Sequence, residues 1–259
     1  MRSRLTRTIM PCQSNSLGQP VGLPVPNWSL PRLPVRESVE GRYCRLEPLD
    51  PLRHAQELFQ ANSLDKDGRN LTYLPYGPFS TFDEYLGWLS PYALSLDPQF
   101  FAIIDLKFGL AVGVCSYLRI DPRHGSIEVG HLQFSPLLQG TTAATEAMYL
   151  MMKQAFGLGY RRYEWKCNAL NAPSRRAAQR LGLSPEGIFR QAAVVKGRNR
   201  DTAWFAAIDE EWPALEQAFQ TWLAPENFTQ NGQQQQSLSE LTRPLLHLPA
   251  PICLSSPGL

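Results

Sequence analysis

The spacing of apolar side chains changes period several times along this chain. Leu52, Ala55, Leu58 and Phe59 recur at helical spacing behind Asp50-Pro51, a capping residue followed by proline at the first helical position. Thr81 opens a second helix, with Glu84 completing a capping box and Phe82, Tyr85, Leu86 and Leu89 forming the apolar stripe. Between the two lies Thr72-Tyr-Leu-Pro-Tyr-Gly-Pro-Phe79, a loop rich in aromatics and turn formers. The period then shortens to two. Residues 42–46, 100–105, 111–120 and 126–134 read as strands, the last two joined by the turn 121–125. Residues 142–156 form a helix, with Ala144, Ala147, Met148, Met151 and Ala155 on one face. A strand over 162–167, a helix over 172–181 stopped by Gly182, and a hairpin of 187–195 with 201–208 complete the order. This order, β-α-α-β-β-β-α-β-α-β-β, predicts an α+β fold with a mixed, mostly antiparallel sheet and helices on its faces. No dinucleotide fingerprint or P-loop appears.

The ends differ from the middle. Residues 1–36 hold six prolines, five arginines and no acidic residue, which predicts an extended proline-rich arm over 1–39. Val21, Leu23, Val25 and Trp28 are its candidates for strapping onto the domain, and Met10 is an alternative start to Met1. One domain is expected over 40–223, and a polar, largely flexible tail over 224–259 with a short helix near 238–246.

Composition narrows the function. With 43% apolar and 19% charged residues and a net charge of +2, the chain reads as globular and cytoplasmic, with no electrostatic case for nucleic acid. No run approaches the roughly 18 apolar residues of a membrane span. The five cysteines are scattered, without a C-x-x-C pair, so neither a disulfide framework nor a metal site is expected.

The chemistry concentrates where strand 126–134 runs through Ser135-Pro-Leu-Leu-Gln-Gly-Thr-Thr into a helix. Free backbone N–H groups at the positive end of a helix dipole suit an anion such as a diphosphate; a plain helix start capped by Thr141 or Thr142 is the alternative.

The turn Gln139-Gly-Thr-Thr-Ala-Ala144 resembles the pyrophosphate loop of the GNAT acetyltransferase superfamily, Arg/Gln-x-x-Gly-x-Gly/Ala, with Thr142 where glycine is usual. Residues 164–182, Gly41-Arg-Tyr-Cys-Arg-Leu-Glu-Pro-Leu49 and Lys196-Gly-Arg-Asn-Arg-Asp-Thr-Ala-Trp204 resemble its RimJ/RimL-type branch, in the right order over about residues 40–215. The resemblance implies a GNAT-like central sheet of about six to seven strands with helices on both faces. It also implies an N-acetyltransferase in which a neutral amine attacks the thioester of acetyl-CoA directly, without an acyl-enzyme; no metal is expected. Residues Leu132, Gln133 and Phe134 would then pair with the pantetheine arm. Gln139, Gly140, Thr141, Thr142, Ala143 and Ala144 would hold the diphosphate, and Asn171 would bond pantetheine. Ser174 matches the position that supplies a proton to the leaving thiolate, or it simply caps its helix. Glu128 fits the base best; strand alternation sets it and His131 on opposite faces unless a bulge intervenes. Tyr73, Tyr76, Phe79, His131, Arg198 and Asp201 are the expected acceptor walls. The acceptor is a small-molecule amine or a protein N-terminus, and the protein a monomer or homodimer. A non-catalytic acyl-CoA-binding module of the same fold is the competing expectation.

Overall fold

A computed structural model describes residues 12–247. A small hairpin, β1 (Cys12–Ser14) with β2 (Pro20–Gly22), opens the arm. The domain follows as β3 (Val39–Glu40), β4 (Cys44–Pro48), α1 (Pro51–Asn62), α2 (Phe82–Leu89), β5 (Gln99–Asp105), β6 (Leu110–Asp121), β7 (Ser126–Phe134), α3 (Thr142–Gly157), β8 (Arg162–Asn168), α4 (Ala172–Arg180), β9 (Ser184–Val195), β10 (Arg198–Ile208), α5 (Trp212–Leu223) and α6 (Leu238–Thr242). Eight strands make one sheet in the order β3-β4-β5-β6-β7-β8-β10-β9. Every neighbouring pair is antiparallel except β7 and β8, which run parallel through the α3 crossover. The mixed, mostly antiparallel α+β architecture is therefore as expected, with eight strands where about six to seven were read.

The sheet has a separate core on each face. Leu49, Ala55, Leu58, Tyr85, Leu89 and the even-numbered side chains of β5 pack beneath α1 and α2. Phe101, Ile103 and the inward residues of β6, β7 and β8 pack beneath α3, α4 and α5. Because β5 is covered on both faces, all seven of its residues are buried, which is why its sequence is a continuous apolar run and does not alternate. Helix α3 is buried almost all round: one side meets the sheet, and Tyr149 packs on Trp212 and Phe219 of α5. Helix α5, opened by Pro213, has no counterpart in the sequence reading. Its buried Leu215, Phe219 and Trp222 are spaced for one helical face. The capping box at Thr81 and Glu84 forms as read.

The terminal segments are only partly free of the domain. Trp28 lies over Arg161, the Arg32 N–H donates to the Leu158 carbonyl, and the Arg36 guanidinium donates to the carbonyls of Leu49, Ala93 and Ser95. Val21, Leu23 and Val25 stay exposed, so Trp28 is the one strap residue named from the sequence that lies against the domain. Beyond residue 223, α6 returns to the core with Leu238 fully buried, and the Thr242 hydroxyl donates to the Arg180 carbonyl. Residues 1–11 and 248–259, including Met1, Met10 and the end of the tail, lie outside the described residues.

One buried carboxylate fastens α3 to the sheet edge. Glu146 accepts the N–H groups of Arg42, Tyr43 and Cys44 at 2.8, 2.6 and 2.8 Å. Gly41 is required beside it, since a Cβ there would collide with the carboxylate. Charge-assisted hydrogen bonds each contribute about 1.5–3 kcal/mol. Glu146→Gln keeps the shape but turns an amide N–H₂ toward donors. It should lower unfolding free energy by about 3 kcal/mol in urea titrations, with the m-value unchanged.

Candidate functional site

The site begins with a break in strand pairing. β7 and β8 are paired from Ser126–Arg162 to Val129–Trp165 and part beyond that point. β8 stays bonded to β10 through Asn168, and β7 stays bonded to β6 through Phe134. A bulge in β7 accompanies the parting: between the pairs Ser116–Gly130 and Val114–Gln133, His131 and Leu132 together stand opposite Cys115. His131 sits in the left-handed region at φ 50°. The extra residue resolves the question left by alternation. Leu132 packs toward α3, while Glu128, His131 and Gln133 share the α1/α2 face, the last with its side-chain oxygen accepting from the Tyr85 hydroxyl. The edge of β7 over residues 130–134 thus faces a cleft without a strand partner.

At one end of that cleft stands the N-terminus of α3. Thr141 is the cap: its hydroxyl oxygen accepts the Ala144 N–H at 3.1 Å and donates to the Leu138 carbonyl at 2.7 Å. Among the described residues nothing accepts the N–H groups of Gly140, Thr142 or Ala143. Gly140 has φ 73° and open space around it. The Gln139 amide donates to the Phe134 carbonyl at 2.8 Å, which ties the turn to β7. Across the cleft, Asn171 caps α4 by accepting the Ser174 N–H at 3.1 Å. Ser174 is thereby free of the capping task. Its hydroxyl oxygen accepts the Trp165 indole N–H at 3.0 Å, and its proton lies on the side of the Cys167 sulfur. Cys167 lies beside it, its thiol pushed up chiefly by burial.

The opposite face of the cleft carries aromatics and charge. His131 lies among Tyr76, Tyr92 and Phe100, with ring centroids 5.7, 6.1 and 5.0 Å away. Burial, and then the charge of Arg119, push its imidazole down to about 4. The Tyr76 hydroxyl and the Trp88 indole N–H are buried beside it without a hydrogen-bond partner. Phe79 closes the cluster on Tyr76 and Tyr85 and lines a cavity of about 370 Å³ whose floor is Gln133 and whose rim carries Asp65 and Asp67. Glu128 is buried between two cations, Arg119 at 2.6 Å and Lys166 at 2.8 Å. Lys166 also meets Glu164 at 2.8 Å and lies 3.7 Å from the centre of the Trp204 ring. Arg162 pairs Glu164 at 2.6 Å and continues the ladder to Glu186.

The expected acceptor residues do not all converge. Tyr76, Phe79 and His131 form one wall. The Tyr73 hydroxyl donates to the Leu170 carbonyl at 3.3 Å, so it bridges the cleft. Lys196, at the start of the hairpin segment 196–204 quoted from the sequence, makes a second bridge by donating to the Leu71 carbonyl at 2.9 Å. Arg198 lies exposed on the β9–β10 hairpin, and the Asp201 carboxylate is engaged by the Gln191 N–H and the Asn199 amide, pinning a bulge in that hairpin. Arg119, Lys166, Trp88 and Tyr92 were not anticipated. Lys166 had a signal: Arg162, Glu164 and Lys166 alternate with Tyr163, Trp165 and Cys167, which marks one face of β8 as charged. No group of residues suited to hold a metal and no helix able to cross a membrane occurs among the described residues.

Comparison with known proteins gives this geometry a context. A family model described as an acetyltransferase (GNAT) domain matches residues 44–184. The crystal structure of a GCN5-related N-acetyltransferase from Brucella melitensis is 50% identical, covering 85% of this chain and all of that one, with a TM-score of 0.83. A probable GNAT-family acetyltransferase from Chromobacterium violaceum is 39% identical over 76% of this chain and 98% of its own, with a TM-score of 0.70. An uncharacterised N-acetyltransferase, p20, of Bacillus licheniformis is 25% identical over 62% of this chain and 90% of its own.

In the charge ladder, one lysine serves two carboxylates. Lys166→Met leaves Glu128 and Glu164 facing one another with one cation fewer. The expected cost is about 3 kcal/mol of unfolding free energy, measured by denaturant titration at pH 7. Glu128→Gln combined with Lys166→Met should cost less than the sum of the single changes.

Proposed function

Since the chain belongs to the GNAT acetyltransferase family, we propose that it transfers an acetyl group from acetyl-CoA to the primary amine of a small molecule or a protein N-terminus, by direct attack in a ternary complex. Acetyl-CoA is the co-substrate of this family and supplies an activated acyl group on a good leaving thiolate. The observation that carries the reading is the parting of β7 from β8, with uncapped N–H groups of α3 at one end and the Ser174 hydroxyl, released from capping by Asn171, at the other.

The residues present fit such a co-substrate. Gly140, Thr142 and Ala143 offer backbone N–H groups to a diphosphate at the positive end of a helix dipole. Thr142, where the family prefers glycine, leaves its N–H at the first helical position and adds a hydroxyl within reach of an anion. The unpartnered edge of β7 at Leu132, Gln133 and Phe134 suits the amide groups of a pantetheine arm, which would add to the sheet as a strand does. Asn171 retains its amide N–H₂ while its oxygen caps α4. Ser174 is the proton donor for the departing thiolate. Tyr76, Phe79 and His131 wall the acceptor side, and Tyr73 closes over it.

Glu128 takes a different part from the one its sequence position suggests. Its Oε2 already meets two cations at hydrogen-bond distance, Arg119 and Lys166. We read it as the anchor of the charged ladder, holding Arg119 and Lys166 in place on the acceptor face.

Saturating acetyl-CoA should raise the melting temperature and show one binding site per chain by calorimetry. Ser174→Ala should keep that affinity within about threefold while lowering kcat by about 10- to 100-fold. Absence of any acetyl-CoA binding would overturn the reading.

A further inference from the structure

We propose that Arg36, in the arm that precedes the domain, is a positioning residue for the amine: its guanidinium holds the turn over residues 90–98, and with it the Tyr92 ring on the acceptor face. The proposal rests on the transfer reaction proposed above and concerns how tightly the acceptor is held, not the acetyl-CoA side of the cleft.

The first argument is what the turn lacks. Residues 90–98 join α2 to β5 and carry Tyr92, whose ring stacks on Phe100 at 4.5 Å and stands 6.0 Å from Trp88 and 6.1 Å from His131. Past Tyr92, Leu94 and Leu96 are 86% and 70% exposed, so neither of these apolar side chains anchors the stretch. Its carbonyls are held from outside instead. Arg36 donates to the carbonyls of Ala93 and Ser95, and also to that of Leu49 where β4 leads into α1, with 3.2 Å to Ser95 and to Leu49. A guanidinium carries five N–H donors in one rigid plane, which lets a single side chain join two segments of backbone. Among the described residues, every hydrogen-bond partner of Arg36 is a carbonyl.

The second argument is what the turn touches next. The Asp97 carboxylate accepts the N–H groups of Arg119 and Ile120 at 2.9 and 3.0 Å. Arg119 has φ 48° there, and its guanidinium meets Glu128. The turn thus stands between Arg36 on one side and the charge ladder on the other. Loosening it displaces Tyr92 and Arg119 together. The N-terminus of α3, Asn171 and Ser174 lie on other elements, and Glu146 fixes α3 through residues 42–44 without Arg36.

The third is that Arg36 is itself held on both sides. Before it, Pro31 is buried against Gly159, the Arg32 N–H donates to the Leu158 carbonyl at 3.0 Å, and Trp28 packs so closely on Gly125 that a Cβ there would collide with the ring. After it, Val39 and Glu40 pair with Leu46 and Arg45 of β4. Pro31 and Pro34 fix φ along the span, so the chain between these anchors is stiff. The support comes from outside the segment that the family model matches, which begins at residue 44. A wall that must be ordered on binding takes its cost from the amine's affinity, so the acceptor KM is the quantity that Arg36 sets.

The test uses the full chain, acetyl-CoA, and a panel of primary amines that includes 2-phenylethylamine and a dipeptide with a free N-terminus. Arg36→Met keeps the stem and removes every donor. It should speed amide hydrogen exchange over residues 93–97 by about 10- to 100-fold while exchange in α3 stays as in wild type. It should raise the amine KM by about tenfold, with kcat and acetyl-CoA affinity kept within about threefold. Arg36→Lys, with one ammonium for three carbonyls, should fall between, and guanidinium chloride far below denaturing concentration should restore part of the amine affinity to Arg36→Met. A role confined to stability would leave the amine KM unmoved and give no such rescue. Unchanged exchange over 93–97, or faster exchange with an unchanged amine KM, overturns the proposal. If Arg36→Met unfolds as a whole, Arg36→Lys decides: wild-type exchange and wild-type KM in that variant overturn the proposal, and a raised KM with local loosening supports it. A wild-type protein that acetylates none of the amines overturns the transfer reaction and this role with it, whereas an active wild type with unaltered Arg36 variants overturns this role alone.

Discussion

The arrangement of the site depends on one break in backbone pairing. β7 and β8 are the only parallel neighbours in the sheet, and they stay together for four residue pairs before separating. Each is held on its far side, β7 by β6 and β8 by β10, so the separation opens a cleft inside the sheet and leaves both strands ordered. The bulge at His131 and Leu132 supplies a cause, since an extra residue raises local twist and turns the end of the strand away from its neighbour. Unmade backbone hydrogen bonds are costly where water is excluded, about 1–3 kcal/mol for each orphaned group. A cleft of this kind is stable only when wet or when filled by a molecule with amide groups of its own.

The same break distributes charge. On the α1/α2 face, Arg119, Glu128, Lys166, Glu164 and Arg162 alternate in sign from β6 through β7 to β8. Such a ladder contributes little net stability per pair, because desolvation offsets most of the attraction. Its consequence here is order: Glu128 and Glu164, the carboxylates of β7 and β8 on this face, each have a cation against them. This order depends on three strands at once, because the ladder takes residues from β6, β7 and β8.

This explains which features were legible in the sequence. Capping residues, turn glycines and the change of hydrophobic period are local, and Asp50, Thr81, Thr141 and Ser237 each cap a helix. The α3 turn and the α4 start could be read from single segments for the same reason. The bulge could not, since Ser126-Ile-Glu-Val-Gly-His-Leu-Gln-Phe134 alternates acceptably with or without an extra residue, and only the register against β6 decides. The ion pairs of Glu128 were hidden in the same way: its partners lie nine residues before it and 38 after it, on neighbouring strands. Helix α5 went unread because it follows a strand directly and begins with Glu-Glu-Trp-Pro, a segment that resembles the end of a domain as much as the start of a helix.

The two ends of the domain meet over the cleft through very little. Lys196 on the β9–β10 hairpin donates to the Leu71 carbonyl, and Tyr73 donates to the Leu170 carbonyl. Both are single side-chain bonds to backbone carbonyls, contributing about 1 kcal/mol net for the tyrosine hydroxyl and about 1.5–3 kcal/mol for the lysine ammonium. The walls beneath them rest instead on two buried cores, one under α1 and α2 and the other under α3, α4 and α5. Rigid walls joined by weak bridges permit a particular division of labour. The α3 side is set by Glu146 and by a helix buried on nearly every side, so the groups that would hold a diphosphate are ordered before anything binds. On the acceptor side, the aromatic cluster is fixed by its own packing, but the Tyr73 loop and the hairpin above it can separate at a cost of a few RT. Under the transfer reading proposed above, acceptors of different length would enter between Tyr73 and Lys196 without disturbing the parted strands.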